Sequence, residues 1–303
     1  MQYTEFIHPE DAAALKTLKS IPILSTIMKK VMDIGAEQLQ TGLNMASKVK
    51  LSPTQLPRLY NILPPICERL EIKEPEFYLE MSPLPNAYAF GDTQTAITIT
   101  SALVDMMSEE ELIGVVAHEC GHIACRHMLY HTLAQVIANA SGMFETLAKL
   151  AVPIHYALMY WQRKSELSCD RAAAYIVGPR ATASMLARLA GGPQSITSEK
   201  LEKGKHTTKF VELFEFAQNL EELAEQADLY DAFCKNGLWN KTLQTYAVMD
   251  QDHPFTSVRV REMLKWTESE DYQNMIKNNP ICPYCHKAID ASWKFCQHCG
   301  HKL

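Results

Sequence analysis

The strongest constraint in this 303-residue sequence is a polar cluster carried by an otherwise apolar helix. Ser108-Glu109-Glu110-Glu111 reads as a helix start. Ser108 is the N-cap, Glu111 stands three residues in, and the acidic side chains face the positive dipole end. The helix runs on through Leu112, Val115 and Val116 into His118-Glu119-Cys120-Gly121-His122, with no clear stop after it. Four residues advance a helix by about 400°. His118 and His122 therefore share one face, and both imidazoles can reach a single Zn²⁺. Glu119 is angled toward the open side of such a metal, where a general base can take a proton from zinc-bound water. A third protein ligand is then needed, leaving one position free. Glu166 is a candidate because it falls on a helix able to pack against the first. Asp170, one turn later on the same face, is placed to accept a hydrogen bond from a ligand histidine.

Around this helix the pattern predicts an α+β fold, mainly helical, with a small mixed β-sheet preceding most of the helices. The first ~70 residues read as helical. Within them Ser52-Pro53-Thr54-Gln55 has the form of a capping box, opening a helix that should end or kink at Pro64-Pro65. Phe77–Leu79, Ala87–Phe90 and Ala96–Thr100 are candidate strands, punctuated by Pro83, Pro85 and Gly91-Asp92. One strand of such a sheet must be an edge. Asn86, Ala87, Tyr88 and Ala89 are the candidates for pairing with an extended substrate. The stretch Leu133–Trp161 is interrupted by Gln135, Asn139, Glu145, Lys149 and His155, so it reads as an amphipathic helix rather than a membrane span. Peripheral contact with a membrane stays open to it. Pro153 should begin a further helix that Gly178-Pro179 ends, and Phe210–Cys234 and Ser257–Trp266 are helical by pattern. His127, His131 and His155 read as structural or exposed, and Cys120 as small packing.

Four motifs in order resemble one family. They are Pro85-Asn86-Ala87-Tyr88-Ala89-Phe90-Gly91, His118–His122, Ser165-Glu166 through Asp170-Arg171-Ala172, and His253-Pro254-Phe255-Thr256-Ser257-Val258-Arg259. Together they look like the HtpX and CAAX prenyl protease group of gluzincin zinc metallopeptidases, over most of residues 50 to 265. The resemblance implies peptide-bond hydrolysis, with Glu166 as third zinc ligand, Asp170 behind the ligands, and His253 near the metal. His253 would either donate to the oxyanion of the tetrahedral intermediate or occupy the open zinc position and hold the enzyme latent. Arg259 would pair with Asp170 or another acidic group. Membrane-bound members carry spanning helices around the zinc motif, and this sequence shows none. Prenylated or membrane-embedded substrates are therefore not implied.

Asn278-Asn279-Pro280 separates a domain at 1–278, with a helical part at about 1–70 and a catalytic core at about 71–270, from a module at 279–303. There Cys282, Cys285, Cys296 and Cys299 form two Cys-x-x-Cys pairs, the pattern of a closed Cys₄ zinc ribbon that holds a structural ion and cannot catalyse. Two zinc ions are thus expected, one catalytic and one structural. The module is a candidate for docking a protein partner. Nine cysteines in all, with no export signal in Met1–Asp11, fit a reducing, cytoplasmic setting better than a disulfide framework. A net charge of -6 argues against nucleic acid as partner. Two functions follow: an endopeptidase acting on flexible polypeptide through Glu119, or a catalytically idle zinc-binding adaptor that docks partners through the ribbon. The retained base Glu119 favours the first.

Overall fold

The computed structural model describes residues 1–33, 35–139, 145–192, 220–235, 237, 255–282, 289–290 and 292–303. Its sheet is mixed and four-stranded, in the order β1 (Val49–Lys50), β2 (Glu76–Glu80), β4 (Ala96–Thr100), β3 (Ala87–Phe90). β2 and β4 run parallel, while β1 pairs with β2 and β3 with β4 antiparallel. The three expected strands are present; β1 adds a fourth too short to show any alternation. β3 forms one edge of the sheet. In β4 the Ala-Ile-Thr-Ile-Thr run is buried throughout, as a central strand covered on both faces requires.

Helix α8 (Glu109–Ala124) begins as its sequence predicts, with the Glu111 N–H donating to Ser108 Oγ at 3.3 Å and the Ser108 N–H to Glu111 Oε2 at 2.8 Å. Glu111 does more than cap. Its carboxylate also accepts from Arg188 Nε at 2.7 Å and Ser184 Oγ at 2.6 Å, both on helix α10 (Glu145–Gly191). The two helices lie against one another, and Gly121 sets how close they come. A Cβ there would stand 3.0 Å from Ala172 Cβ and 3.1 Å from the backbone Cα of Cys169.

Four local expectations are corrected. Helix α8 does stop, in a Schellman motif: the His127 N–H reaches the His122 carbonyl at 3.0 Å and the Arg126 N–H that of Ile123 at 3.1 Å. Arg126, at φ 56°, fills the left-handed position where glycine is usual, which is why the sequence shows no stop signal. A separate helix α9 (Met128–Asn139) follows. Ser52–Gln55 closes a tight turn through backbone bonds in both directions instead of opening a helix. Pro64 sits in the first turn of α6 (Leu63–Leu70), where its missing N–H is harmless, so the proline pair starts a helix rather than ending one. Pro153 lies inside α10, whose interruption is at Gly178 (φ 83°, ψ 164°). One lost backbone bond does not end a helix that packs along its length on α8 and on α2 (Pro9–Lys19).

Two cores result. The larger joins the sheet, α6, α8 and α10 to helices α12 (Thr256–Thr267) and α13 (Glu270–Asn278). The smaller gathers Leu18, Leu24, Leu133, Leu158 and Trp161, seating the N-terminal helices on α9 and α10. Each fully buried leucine there contributes about 1.5–3 kcal/mol, so tertiary packing holds these helices in place. Helix α11 (Leu220–Lys235) covers part of the segment expected at 210–234; the remainder lies outside the described residues. Among the described residues, no helix is long and apolar enough to cross a membrane.

Candidate active site

The face shared by His118 and His122 points at Glu166 on α10. His118 Nε2 lies 3.3 Å from Glu166 Oε2, and His122 Nε2 lies 3.3 Å from Glu166 Oε1. With zinc–nitrogen and zinc–oxygen bonds of about 2.0–2.1 Å, the edge of a tetrahedron is about 3.3 Å. Each imidazole nitrogen thus stands one such edge from the carboxylate, and the three buried residues fit a zinc ion. Cys169 Sγ also lies within 4.8 Å of a nitrogen of each histidine. It fits less well, because burial pushes its thiol well above the usual range, disfavouring the thiolate that a metal needs.

Behind His118 stands Asp170, with Oδ1 at 3.2 Å from Nδ1. Asp170 is held by Arg259 of α12 in a two-pronged pair, Nε to Oδ2 at 2.8 Å and Nη2 to Oδ1 at 2.6 Å. The same Nη2 lies 3.3 Å from Glu166 Oε2. Burial works against charge on His118, but Glu166 and Asp170 outweigh it and draw its pKa up to about 10. Burial likewise resists ionisation of Asp170, yet Arg259 and His118 together hold it below the usual carboxylate range. The field at His118 therefore favours positive charge there, which is what a divalent cation supplies.

Behind His122 the arrangement differs. Its Nδ1 lies 3.1 Å from His127 Nδ1, and His127 Nε2 lies 3.1 Å from Asp11 Oδ2, on α2. Asp11 is fully buried and accepts from Trp161 Nε1 at 2.9 Å and Ser168 Oγ at 2.6 Å. Burial lowers the pKa of His127 against the pull of Asp11, favouring a neutral ring. Of the histidines read as structural or exposed, His127 is fully buried against a site histidine, and His131 sits edge-on to His122 with ring centroids 5.0 Å apart. Helical periodicity hides His127, because five residues on a continuous helix would point it away. The Schellman turn brings it back. Cys120 is fully buried in the main core, as small packing requires.

Glu119, His122 and Glu166 open onto a cavity of ≈ 660 Å³ whose other wall is β3. His131 and His155 line the same space. The Thr100 N–H donates to the Asn86 carbonyl at 3.0 Å, so residues 86, 88 and 90 turn their backbone groups toward β4. Those of Ala87 and Ala89 consequently face the free edge, beside the site. His253 lies outside the described residues. In the C-terminal module Cys282, Cys296 and Cys299 bring their sulfurs together, Cys282 Sγ and Cys299 Sγ being 3.6 Å apart, close to the roughly 3.8 Å edge of a zinc–thiolate tetrahedron. Cys285 lies outside the described residues.

The sequence model of peptidase family M48 matches residues 53–267, and that of a zinc-ribbon domain matches 281–303. The plastoglobule-localized metallopeptidase 48, chloroplastic, of Arabidopsis thaliana is 29% identical over 279 residues, covering 90% of this chain and 75% of that protein. A protease HtpX homologue of Methylibium petroleiphilum is 27% identical over 195 residues, 56% of this chain and 69% of its own. One from Thermodesulfovibrio yellowstonii is 33% identical over 111 residues, 36% of this chain and 39% of its own. No solved structure matches.

Proposed function

This chain belongs to peptidase family M48, whose members are zinc metallopeptidases, and on that premise we propose that it is an endopeptidase using Glu119 as general base. The observation that supports the reading is the placement of Glu119 on the cavity that His122 and Glu166 also line, with a nitrogen of each of His118 and His122 3.3 Å from the Glu166 carboxylate. His118, His122 and Glu166 would hold the ion. Zinc in that position supplies a Lewis acid that polarises the scissile carbonyl and acidifies water. Glu119 takes the proton of the attacking water and returns it to the leaving amine. Asp170, pinned by Arg259, fixes the tautomer of His118. The outward backbone groups of Ala87 and Ala89 pair with an extended substrate and hold its carbonyl over the site. We assign His253 the role of oxyanion donor or latch, from its place in the sequence just before the helix that carries Arg259.

Because recognition runs through backbone groups, the substrate class is extended, unpaired polypeptide. The ribbon cysteines hold a second, structural zinc and leave that module free to dock a protein. The buried free thiols Cys67, Cys120, Cys125 and Cys169 support a reducing, cytoplasmic setting. The test is Glu119→Gln in the full-length protein. We expect both zinc ions retained, the melting temperature unchanged and cleavage of denatured polypeptide lost. Retained turnover in that variant would remove Glu119 from the mechanism.

A further inference from the structure

The proton positions around His122 can be assigned from geometry. Nε2 faces Glu166 Oε1 at 3.3 Å, so on the reading that this nitrogen binds zinc, the ring proton is on Nδ1. That N–H points at His127 Nδ1, 3.1 Å away, which must therefore be the acceptor. The His127 proton is then on Nε2, where it donates to Asp11 Oδ2 at 3.1 Å. Every donor meets an acceptor, and the chain ends on a carboxylate that two further donors, Trp161 Nε1 and Ser168 Oγ, hold in place. Among the described residues the Cys169 thiol also approaches His127 Nδ1, at a longer 3.7 Å. Asp11 and His127 are both fully buried, a costly location for a carboxylate unless it is bonded in this way.

We propose that Asp11 and His127 are positioning residues for the metal ligand His122. A carboxylate acting through an intervening imidazole sets the ligand's tautomer and ring orientation. Helix α2, which lies before the matched family segment, is on this account part of the catalytic centre. The two histidine ligands are then supported unequally. His118 has a carboxylate in direct contact, on the same helix as Glu166. His122 has one at the end of a relay that starts in another helix. The inference rests on the zinc-site reading above but not on catalysis.

Asp11→Asn tests it. The amide is isosteric and still accepts from Trp161. With the amide oxygen kept on Trp161, its NH₂ takes the place of Oδ2 against both the Ser168 hydroxyl and His127 Nε2, and moves that ring's proton to Nδ1, where it confronts the His122 N–H. In the full-length protein, zinc withdrawal by a competing chelator should show the His118–His122 site weakened about 10- to 100-fold, with the ribbon zinc unchanged as internal reference. Histidine ¹⁵N spectra of the zinc-loaded protein should show His127 changed from the Nε2–H to the Nδ1–H tautomer. Unchanged zinc affinity and tautomer would overturn the proposal. If Asp11→Asn does not fold, His127→Asn and His127→Phe decide it. The asparagine keeps an acceptor near the Nδ1 position and should retain more affinity than the phenylalanine; equal affinities refute the relay. A wild-type protein holding only the ribbon zinc overturns the site reading and this inference together. Weakened zinc in Asp11→Asn alongside a wild type that cleaves no polypeptide upholds the inference and refutes the peptidase.

Discussion

Proline scanning of β3 separates substrate pairing from fold, because the strand's backbone bonds alternate between its two sides. Tyr88 lies opposite Thr98 and directs its N–H into the sheet, whereas Ala87 and Ala89 direct theirs to the free edge. Proline removes an N–H and is tolerated on an edge strand only where that group faced outward. Ala87→Pro and Ala89→Pro should therefore keep the β3–β4 ladder, and Tyr88→Pro should break it. A single hydrogen bond is worth about 0.5–1.5 kcal/mol net. Losing both pairing bonds in the double variant removes about 1–3 kcal/mol of binding, or roughly 5- to 150-fold in kcat/KM. The loss should fall on KM, since the pairing is the same in ground and transition states. The assay is cleavage of fluorescence-quenched denatured casein, read beside thermal melting. The reasoning fails if the double variant cleaves as well as wild type, or if it melts as early as Tyr88→Pro.

Other changes probe the framework. Gly121→Ala gains helix propensity of about 1 kcal/mol, but its Cβ meets the Cys169 backbone at 3.1 Å, which cannot swing aside. Overpacking of this kind costs about 1–3 kcal/mol, so chemical denaturation should show a less stable protein. Arg126→Gly removes a side chain from a left-handed position (φ 56°) and should stabilise by about 1 kcal/mol in the same measurement. Glu111→Gln leaves Arg188 buried without its anion and should cost about 3–5 kcal/mol. Burial raises the Glu111 pKa, but Arg188, Ser184 and the Ser108 N–H bring it below its ordinary value of 4.5. A carboxylate depressed in this way adds stability above the unfolded pKa and loses it as pH falls through the folded one. Wild type should therefore lose stability on acidification below about pH 4.5 more steeply than Glu111→Gln.

Most of the fold was legible where one local rule acted alone. The strands at 76–80, 87–90 and 96–100 announce themselves through β-branched and aromatic residues between prolines and glycines. The start of α8 is written in Ser108 and Glu111. Its end was not legible, because an arginine occupies the left-handed cap position and no local pattern marks an arginine for that conformation. Pro64 shows how the same residue ends or begins a helix according to which side the chain continues on. At the site, His118, His122, Glu166, Asp170 and Arg259 come together from helices whose spacing and motifs point to them. Asp11 carries no such signal. Its partnership with His127 spans 116 positions and depends on how the N-terminal helices pack, which no periodicity encodes.

The Schellman turn after α8 joins His122 to His127 twice, once through the backbone at 3.0 Å and once between the rings at 3.1 Å. Fraying of that last turn and release of an ion from His122 are therefore linked equilibria. Any ligand that binds only the closed form must suppress the opening by RT ln(1 + [L]/Kd). The backbone amide of His127 thus becomes a built-in gauge. Its hydrogen exchange should slow in proportion to zinc occupancy, whatever polypeptide the site cuts.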